Sequence, residues 1–140
     1  MKECIILLDG IDKSGKTSIL KALVKRSNGK LLVIDRSFIS QIVYSRIYNR
    51  QINEKFFIDQ AKIAFQNGYK FFIITANTDI IEKRFKICNE KDLDISDIFM
   101  HKQVLFNVLN DFNENGIKIN IIDTSYKSID ESVGEIINNL

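Results

Sequence analysis

The stretch Gly10-Ile11-Asp12-Lys13-Ser14-Gly15-Lys16-Thr17 decides the fold of this 140-residue chain, because it matches the pattern G-x-x-x-x-G-K-[ST] in full. It follows an apolar run, Cys4–Leu8, and opens an amphipathic helical pattern, Thr17–Arg26. Strand, glycine-rich turn and helix in this order are the context in which the pattern binds phosphate. The glycines let the backbone curl so that its N–H groups face an anion, and the helix N-terminus adds partial positive charge. The stretch therefore predicts a phosphate-binding loop, or P-loop.

Each position of the loop has an expected task. Lys16 should reach the β- and γ-phosphates of a nucleotide, and the Thr17 hydroxyl should ligate Mg²⁺. Lys13 supplies a second cation that would neutralise charge on the transferring phosphoryl group, although a solvated loop charge explains it equally well. The cofactors that the loop implies are ATP and Mg²⁺. The residues expected to bind ATP here are Gly10, Asp12, Lys13, Ser14, Gly15, Lys16, Thr17 and Ser18.

Three further short apolar runs follow the loop, and helical patterns lie between them. The runs are Leu31–Ile34, Phe71–Ile74 and Ile117–Ile122. The later helical patterns are Asn53–Gln66, Asp79–Cys88, Asp97–Phe112 and Ile129–Leu140, with one more helix expected before Asn53. The order β-α-β-α-α-β-α-α-β-α predicts a three-layer α/β fold of the P-loop NTPase type. We expect a small parallel sheet of about four strands, in the order 2-1-3-4, with helices on both faces.

The pattern within and between these runs refines the prediction. The first three runs are continuous, which is typical of strands buried on both faces, whereas Ile117–Ile122 alternates at first and indicates an edge. Three Asn-Gly pairs, at 28–29, 67–68 and 115–116, each follow a helical pattern and precede a strand. We interpret them as helix C-caps with left-handed glycine rather than as hairpin turns.

Composition and charge narrow the classes of function. The chain is 45% hydrophobic and 27% charged, with a net charge of +2, which predicts one globular domain over residues 1–140. This charge is too balanced for a general nucleic-acid or membrane-surface binder, so we expect no stable nucleic-acid binding and no membrane association. Cys4 and Cys88 have no CxxC partner, and the N-terminal apolar run is too short for a signal peptide. We therefore expect free thiols and a cytoplasmic location.

Ligands of parallel sheets bind at the carboxyl ends of the strands, where two charged residues follow the second apolar run. Asp35 comes directly after Leu31–Ile34 and is expected to support Mg²⁺ or its water shell. Arg36 comes next and would stabilise negative charge in a transition state, the alternative being a surface salt bridge.

These residues resemble those of thymidylate kinases and related P-loop kinases of nucleosides and nucleotides. The loop resembles theirs, including Asp12 and the acid Asp9 just before it. Asp35-Arg36 with Ser40 and Tyr44 resembles the family's segment D-R-x-x-x-S-x-x-x-Y. Supporting likeness extends over Ala76–Lys86, Asp123–Ser125 and Ser128–Val133. The resemblance spans nearly the whole chain and implies phosphoryl transfer from ATP to a small nucleotide substrate.

The resemblance also implies roles for individual residues. Those implied in catalysis are Lys16, Asp35, Arg36 and Lys13, with Thr17 and Asp35 on the metal. Those implied in substrate binding are Asp9, Asp12, Arg36, Ser40, Tyr44 and Arg84, and those implied beside the adenine of ATP are Ser125 and Tyr126. For Arg84 the alternative is a solvated helix face, and for Tyr126 an exposed loop tyrosine.

Three features outside these motifs have their own interpretation. His101 lies on the apolar side of a helical pattern and is expected to pack at the core or its boundary, and Cys88 is expected in the core. Asn89–Asp97 corresponds to the family's lid, with four acids, one lysine and no arginine. Such a segment is a poor phosphate clamp, which favours Lys13 as the substitute.

The chain departs from the family between Arg26 and Leu31, where only four residues stand. The family places there a strand and two helices that recognise the acceptor base, including a proline-containing turn and a stacking aromatic, whereas this chain has no proline. Either Ser37–Lys55 forms a reduced acceptor pocket, or the open cleft takes a larger or different acceptor. Candidates for the reduced pocket are Phe38, Tyr44, Arg46, Tyr48 and Arg50.

The leading hypothesis is an ATP- and Mg²⁺-dependent kinase of a deoxynucleoside monophosphate, dTMP or a related deoxynucleotide. The alternatives are a nucleotide-binding protein without kinase turnover and a kinase of deoxynucleosides or polynucleotide ends. A GTPase is disfavoured because no N-K-x-D motif is present. The family also suggests a homodimer through the helical faces of Asn53–Gln66 and Asp97–Phe112, which burial within one chain explains equally well.

Overall fold

Four strands form the centre of the structure, a computed structural model that describes residues 1–87 and 95–140. The strands are β1 (Cys4–Gly10), β2 (Leu31–Asp35), β3 (Lys70–Thr75) and β4 (Ile119–Asp123). The helices of the described residues are α1 (Lys16–Ser27), α2 (Phe38–Ile47), α3 (Glu54–Gln66), α4 (Thr78–Ile87), α5 (Ile95–Glu114) and α6 (Ile129–Asn138). The core position predicted for Cys88, and residues 89–94 of the predicted lid, lie outside the described residues.

The sheet has the order β2-β1-β3-β4, and each neighbouring pair is parallel. The predicted succession of elements, the strand order 2-1-3-4 and the edge position of β4 are therefore confirmed. In the register, Leu8 lies beside Asp35 and Thr75 lies beside Asp123. The carboxyl ends of the strands consequently meet at one edge of the sheet, which is where parallel sheets bind ligands.

Helices cover both faces of the sheet, so that two apolar cores form. Alternate side chains of β3 enter opposite cores: Phe72 and Ile74 face α1 and α6, whereas Phe71 and Ile73 face α2, α3, α4 and α5. All four side chains are essentially inaccessible to solvent, as expected for the interior of a parallel sheet. Among the described residues, no helix is both long and apolar enough to cross a membrane.

The prediction that the second apolar run is buried on both faces is wrong. β2 is an edge strand, and its residues Leu32 and Ile34 are 59% and 38% exposed. Leu31 and Val33 point to the other face and contact the core beneath α1 and α6. Because only Asn28–Lys30 join α1 to β2, the chain has no length there to build a strand outside β2. A continuous apolar run thus marks a strand without deciding its place in the sheet.

The three Asn-Gly joints adopt the predicted backbone. Gly29, Gly68 and Gly116 have φ angles of 82°, 89° and 79°, which is the left-handed region that glycine enters without steric cost. Each follows a helix directly and the chain then enters β2, β3 or β4. The prediction of helix C-caps rather than hairpin turns is therefore confirmed.

Gly10→Ala is expected to destabilise the fold, because a Cβ at this position would lie 2.4 Å from the carbonyl oxygen of Ile74 in the neighbouring strand. The strands β1 and β3 would have to separate locally, so we expect the free energy of unfolding to fall by about 1–3 kcal/mol. Gly134→Ala is the matched control, since nothing lies within 4 Å of its added Cβ and alanine favours the helix by about 1 kcal/mol. Urea denaturation measures both, and a Gly10→Ala variant as stable as the wild type would contradict the prediction.

Candidate active site

The P-loop leaves β1 at Gly10 and enters α1 at Lys16 with a tightly turned backbone. Lys13 and Gly15 have left-handed φ angles of 58° and 96°. The buried Ser14 side chain donates to the carbonyl oxygen of Ile11 at 2.6 Å, which closes the loop on itself. The first N–H groups of α1 have no partners within the helix, and its first turn carries no acidic residue. This backbone can therefore bind an anion.

A cavity of about 440 Å³ opens over the loop. It is lined by Ile11, Asp12, Lys13, Gly15, Lys16, Thr17 and Ser18. Most of the residues predicted to bind ATP thus share one concave surface of a size that suits a small ligand. Gly10 and Ser14 do not line it, because their positions serve the close strand contact and the inward hydrogen bond described above.

Lys16 and Asp35 form a direct ion pair across the carboxyl ends of β1 and β2. The Lys16 side chain is largely buried, whereas the Asp35 carboxylate is half exposed. The pairing follows from the register, since the last residue of β2 lies beside Leu8, just before the P-loop. The cation predicted for the phosphates and the carboxylate predicted for the metal are therefore in contact.

Asp9 is a buried carboxyl group beneath the loop. It accepts hydrogen bonds from the Ser37 and Ser40 hydroxyls, and the Ser37 oxygen also caps α2 by accepting from the Ile39 N–H at 3.2 Å. Burial raises the pKa of Asp9, although the two serines and Lys16 act in the opposite direction. Asp9 and Ser40, both predicted to bind substrate, thus lie together and tie β1 to α2. Ser37 was missed, although a serine before an apolar helical run is a recognisable N-cap.

Arg36 has a strained backbone that aims its side chain at α2. Its φ angle is 70°, a region that costs a non-glycine residue about 1–3 kcal/mol, and its N–H donates to the Leu8 carbonyl oxygen at 2.8 Å. The guanidinium carbon lies 5.1 Å from the ring centroid of Tyr44. Burial raises the pKa of Tyr44, the positive charge of Arg36 lowers it, and the negative charge of Asp12 raises it. The structure therefore places the predicted residues Arg36 and Tyr44 in contact, and Asp12 acts on Tyr44 electrostatically.

The side chain of Arg84, on α4, donates hydrogen bonds to the backbone of the P-loop and of the loop after β4. Its Nη1 donates to the carbonyl oxygen of Lys13 at 2.7 Å, and its Nη2 donates to that of Thr124 at 3.0 Å. The buried Thr124 hydroxyl in turn donates to the carbonyl oxygen of Ser14. The Lys13 amine lies 5.6 Å from the ring centroid of Phe85. Arg84 and Thr124 thus hold the loop from outside, and no local signal in the sequence identifies this role of Thr124.

The loop after β4 carries the two residues predicted beside the adenine. The Ser125 hydroxyl donates to the Asp123 carboxylate at 2.6 Å and accepts from the N–H of Asn77 at 2.7 Å. These bonds join the ends of β3 and β4. Tyr126 is 80% exposed, which suits both stacking on a purine ring and the alternative of an exposed loop tyrosine.

The candidates for a reduced acceptor pocket separate into two groups. Arg46 bridges Glu54 and Asp111 at 2.7 Å each, so it joins α2, α3 and α5 and its donors are used within the fold. Phe38 packs against the core. By contrast, the Tyr48 ring stacks on Tyr44, and the Arg50 guanidinium carbon lies 5.2 Å from its centroid. Tyr44, Tyr48 and Arg50 therefore continue the side of the site that begins at Arg36.

His101 lies at this same side of the site. Its ring centroid is 5.6 Å from that of Tyr44, and the side chain is half-buried. Burial lowers the pKa of His101, while Asp12 raises it and Arg36 lowers it further. The predicted boundary position is confirmed, but no local pattern in the sequence indicates the contact of His101 with the Tyr44 ring, because this contact arises from the packing of α5 on α2.

Asp9→Asn is expected to stabilise the folded chain increasingly as the pH rises. Since burial raises the pKa of Asp9 above its ordinary value of 3.8, ionisation of the folded state costs free energy once the pH exceeds that value. Asparagine cannot ionise, and its amide oxygen can accept from one serine while its amide N–H donates to the hydroxyl oxygen of the other. Thermal unfolding of both proteins between pH 4 and 8 measures the difference in Tm, and an Asp9→Asn variant that is less stable at pH 7 would contradict the expectation.

Arg84→Ala is expected to lower both the stability of the fold and the affinity for a nucleoside triphosphate. The charge-assisted hydrogen bonds to the loop are worth about 1.5–3 kcal/mol, and without them the loop would bind anions in a less fixed geometry. Lys83→Ala, which removes an exposed charge one residue away on α4, is the matched control. Urea denaturation and titration calorimetry separate the roles: reduced affinity with unchanged stability would favour a direct contact between Arg84 and the ligand.

No protein-family model matches the chain, and no curated protein is significantly similar to it. Several solved structures share its fold, among them one from Bacillus subtilis and one from Candida albicans. The YorR protein from Bacillus subtilis, determined in complex with phosphorylated GDP, has a TM-score of 0.83 at 20% identity, over 96% of this chain and 94% of that chain. The thymidylate kinase from Candida albicans has a TM-score of 0.67 at 15% identity, over 99% of this chain and 91% of that chain. The resemblance drawn from the sequence is thus confirmed for the fold: this chain has the fold of the thymidylate kinase-like P-loop kinases.

Proposed function

We propose that this protein is an ATP- and Mg²⁺-dependent kinase that transfers the γ-phosphoryl group of ATP to a deoxynucleoside monophosphate, with dTMP as the leading acceptor. The observation that carries the proposal is the contact between Lys16 and Asp35 at the mouth of the P-loop. A phosphate-binding cation and a metal-binding carboxylate meet there, and Arg36 follows directly. The two solved structures support it, since one was determined with phosphorylated GDP and the other is a thymidylate kinase.

The donor side of the reaction rests on the P-loop. The N–H groups at the start of α1 would bind the phosphates of ATP, and Lys16 would neutralise their charge between the β- and γ-positions. Lys13, held beside Phe85, would approach the γ-phosphate from the α4 side. Ser125 and Tyr126 would border the adenine. These groups position ATP and stabilise charge, which is most of what phosphoryl transfer requires from a protein.

The acceptor side rests on residues that surround Tyr44. A phosphate oxygen of the acceptor attacks the γ-phosphorus, the bond from that phosphorus to the β–γ bridging oxygen breaks, and ADP leaves with the electron pair. Arg36 follows Asp35 in the sequence and its guanidinium lies over the Tyr44 ring, where it would hold the acceptor phosphate and balance the charge that develops on the transferring group. Asp12 would accept a hydrogen bond from the sugar.

The donor set near the loop suits Mg²⁺ bound together with a nucleotide. Mg²⁺ commonly takes one or two protein oxygens and completes its octahedron with phosphate oxygens and water. Thr17 and Asp35 would supply the protein oxygens, and no cluster of three or more His, Cys, Asp or Glu within residues 1–87 and 95–140 offers an all-protein site. When bound, the ion would neutralise charge on the β- and γ-phosphates.

Lys16→Ala tests the proposed donor site. Loss of the cation should lower kcat/KM for phosphoryl transfer by about 100-fold or more, by analogy with the loss of one charge-stabilising group elsewhere. The assay is transfer of label from γ-labelled ATP in the presence of Mg²⁺ to the deoxynucleoside monophosphates. Lys21→Ala, an exposed lysine on the same helix, is the matched control and should leave the rate unchanged.

The same labelling assay, run with deoxynucleoside monophosphates, deoxynucleosides and oligonucleotide ends as acceptors, decides between the proposed function and its alternatives. Label on dTMP supports the proposal, whereas label on a nucleoside or an oligonucleotide end would show a kinase with that acceptor in place of a deoxynucleoside monophosphate. ATP binding without label on any acceptor would instead favour a nucleotide-binding protein without turnover. If Lys16→Ala binds ATP as tightly as the wild type, the assignment of the P-loop is wrong.

A further inference from the structure

Three side chains meet at the ring of Tyr44: those of Arg36, His101 and Tyr48. The guanidinium of Arg36 lies over the Tyr44 ring at 5.1 Å, and that ring contacts His101, with centroids 5.6 Å apart and planes tilted by 50°. Tyr48 stacks on Tyr44, with centroids 6.2 Å apart and planes at 11°. We call Tyr44, Tyr48 and His101 the aromatic cluster. Tyr44 contacts Arg36, which follows Asp35 in the sequence. The cluster therefore begins next to the proposed metal-binding residue.

His101 adds a third side chain to the cluster that can both donate and accept a hydrogen bond while uncharged, and α5 places it against the Tyr44 ring. Burial lowers its pKa, so the neutral imidazole predominates at neutral pH. The charged groups that act on it are Asp12, from the P-loop, and Arg36, from the segment between β2 and α2. Both belong to the proposed acceptor side. A neutral imidazole has one N–H donor and one nitrogen acceptor, and these are the two kinds of group that pair with the edge of a nucleobase.

The position of His101 in the fold favours this role over simple packing. It lies on α5, which packs against α2, and its side chain is half-buried rather than enclosed like Leu105 or Val108 on the same helix. Arg36 already covers part of the Tyr44 ring and Tyr48 another part. The imidazole is therefore the half-buried hydrogen-bonding group that α5 contributes to the cluster, in contact with the Tyr44 ring.

We propose that His101 is a specificity-determining residue of the acceptor site, where its imidazole hydrogen-bonds the base of a nucleoside monophosphate and Tyr44 holds the imidazole in place. The inference rests on the proposed kinase function, which it deepens. It assigns base recognition to α5 and α2, in a chain in which only Asn28–Lys30 connect α1 to β2. The phosphate of the acceptor would lie at Arg36 and its base at His101, with the sugar between them near Asp12.

The test compares His101→Leu, which keeps a similar volume but removes both hydrogen-bonding groups, with His101→Gln, which retains a donor and an acceptor. Steady-state kinetics with each deoxynucleoside monophosphate give KM and kcat, and KM for ATP and Tm are measured in parallel. His101→Leu should raise KM for the best acceptor about ten-fold, the equivalent of about 1.4 kcal/mol, and reduce the preference among bases. His101→Gln should recover part of the loss, with KM for ATP unchanged in both variants.

Gln103→Leu is the matched control, because it makes the same kind of change at an exposed position two residues away on α5. Unchanged acceptor KM and base preference in His101→Leu would overturn the proposal. So would equal increases in KM for ATP and for the acceptor, since these indicate a structural role.

Failure of the kinase function is distinguishable from failure of this proposal. If the wild type transfers no phosphoryl group, calorimetry with the deoxynucleoside monophosphates replaces the kinetic test. Binding that His101→Leu weakens and His101→Gln partly restores supports the role of His101 without turnover. Binding that the substitutions leave unchanged, or no binding to the wild type, overturns it.

Discussion

Three backbone carbonyl groups of the P-loop accept hydrogen bonds from side chains, and the rest of the site depends on this constraint. Ser14 donates to Ile11, Arg84 to Lys13, and Thr124 to Ser14. Bonds from three directions use the acceptors of the loop, so that the donors at the start of α1 remain available to an anion. Since the loop is fixed from α4 and from the end of β4, its geometry is established by the fold before a ligand arrives. Such preorganisation is what makes charge stabilisation effective.

Much of this architecture follows from the sequence for identifiable reasons. Glycine and lysine at fixed spacing place the P-loop, and each Asn-Gly joint separates a helix from the next strand. Both signals are local, because they depend on the conformational preferences of a few neighbouring residues. The strand order is nearly as accessible, since right-handed crossovers leave few arrangements for the three connections that join the four strands.

The features that the sequence did not reveal are those that depend on distant partners. Arg84 contacts a carbonyl 71 positions away, and His101 reaches Tyr44 through the packing of α5 on α2. Neither has a local pattern that distinguishes it from a surface or boundary residue. The exposed outer face of β2 was not expected for a different reason: hydrophobicity reports burial of a strand on average, and Leu32 is apolar although it is exposed.

The three-residue connection between α1 and β2 also bears on how the site assembles. The unit β1-α1-β2 lies within the first 35 residues. It contains the P-loop, Lys16 and Asp35, which pairs with Lys16. Closing a short connection costs less chain entropy than closing a long one, and contacts close in sequence form fastest. The part of the chain with the most chemistry is thus the part with the lowest topological barrier to folding. The proposed acceptor side needs α5 to reach α2 although 57 positions separate Tyr44 from His101, so it carries the larger entropic cost of assembly.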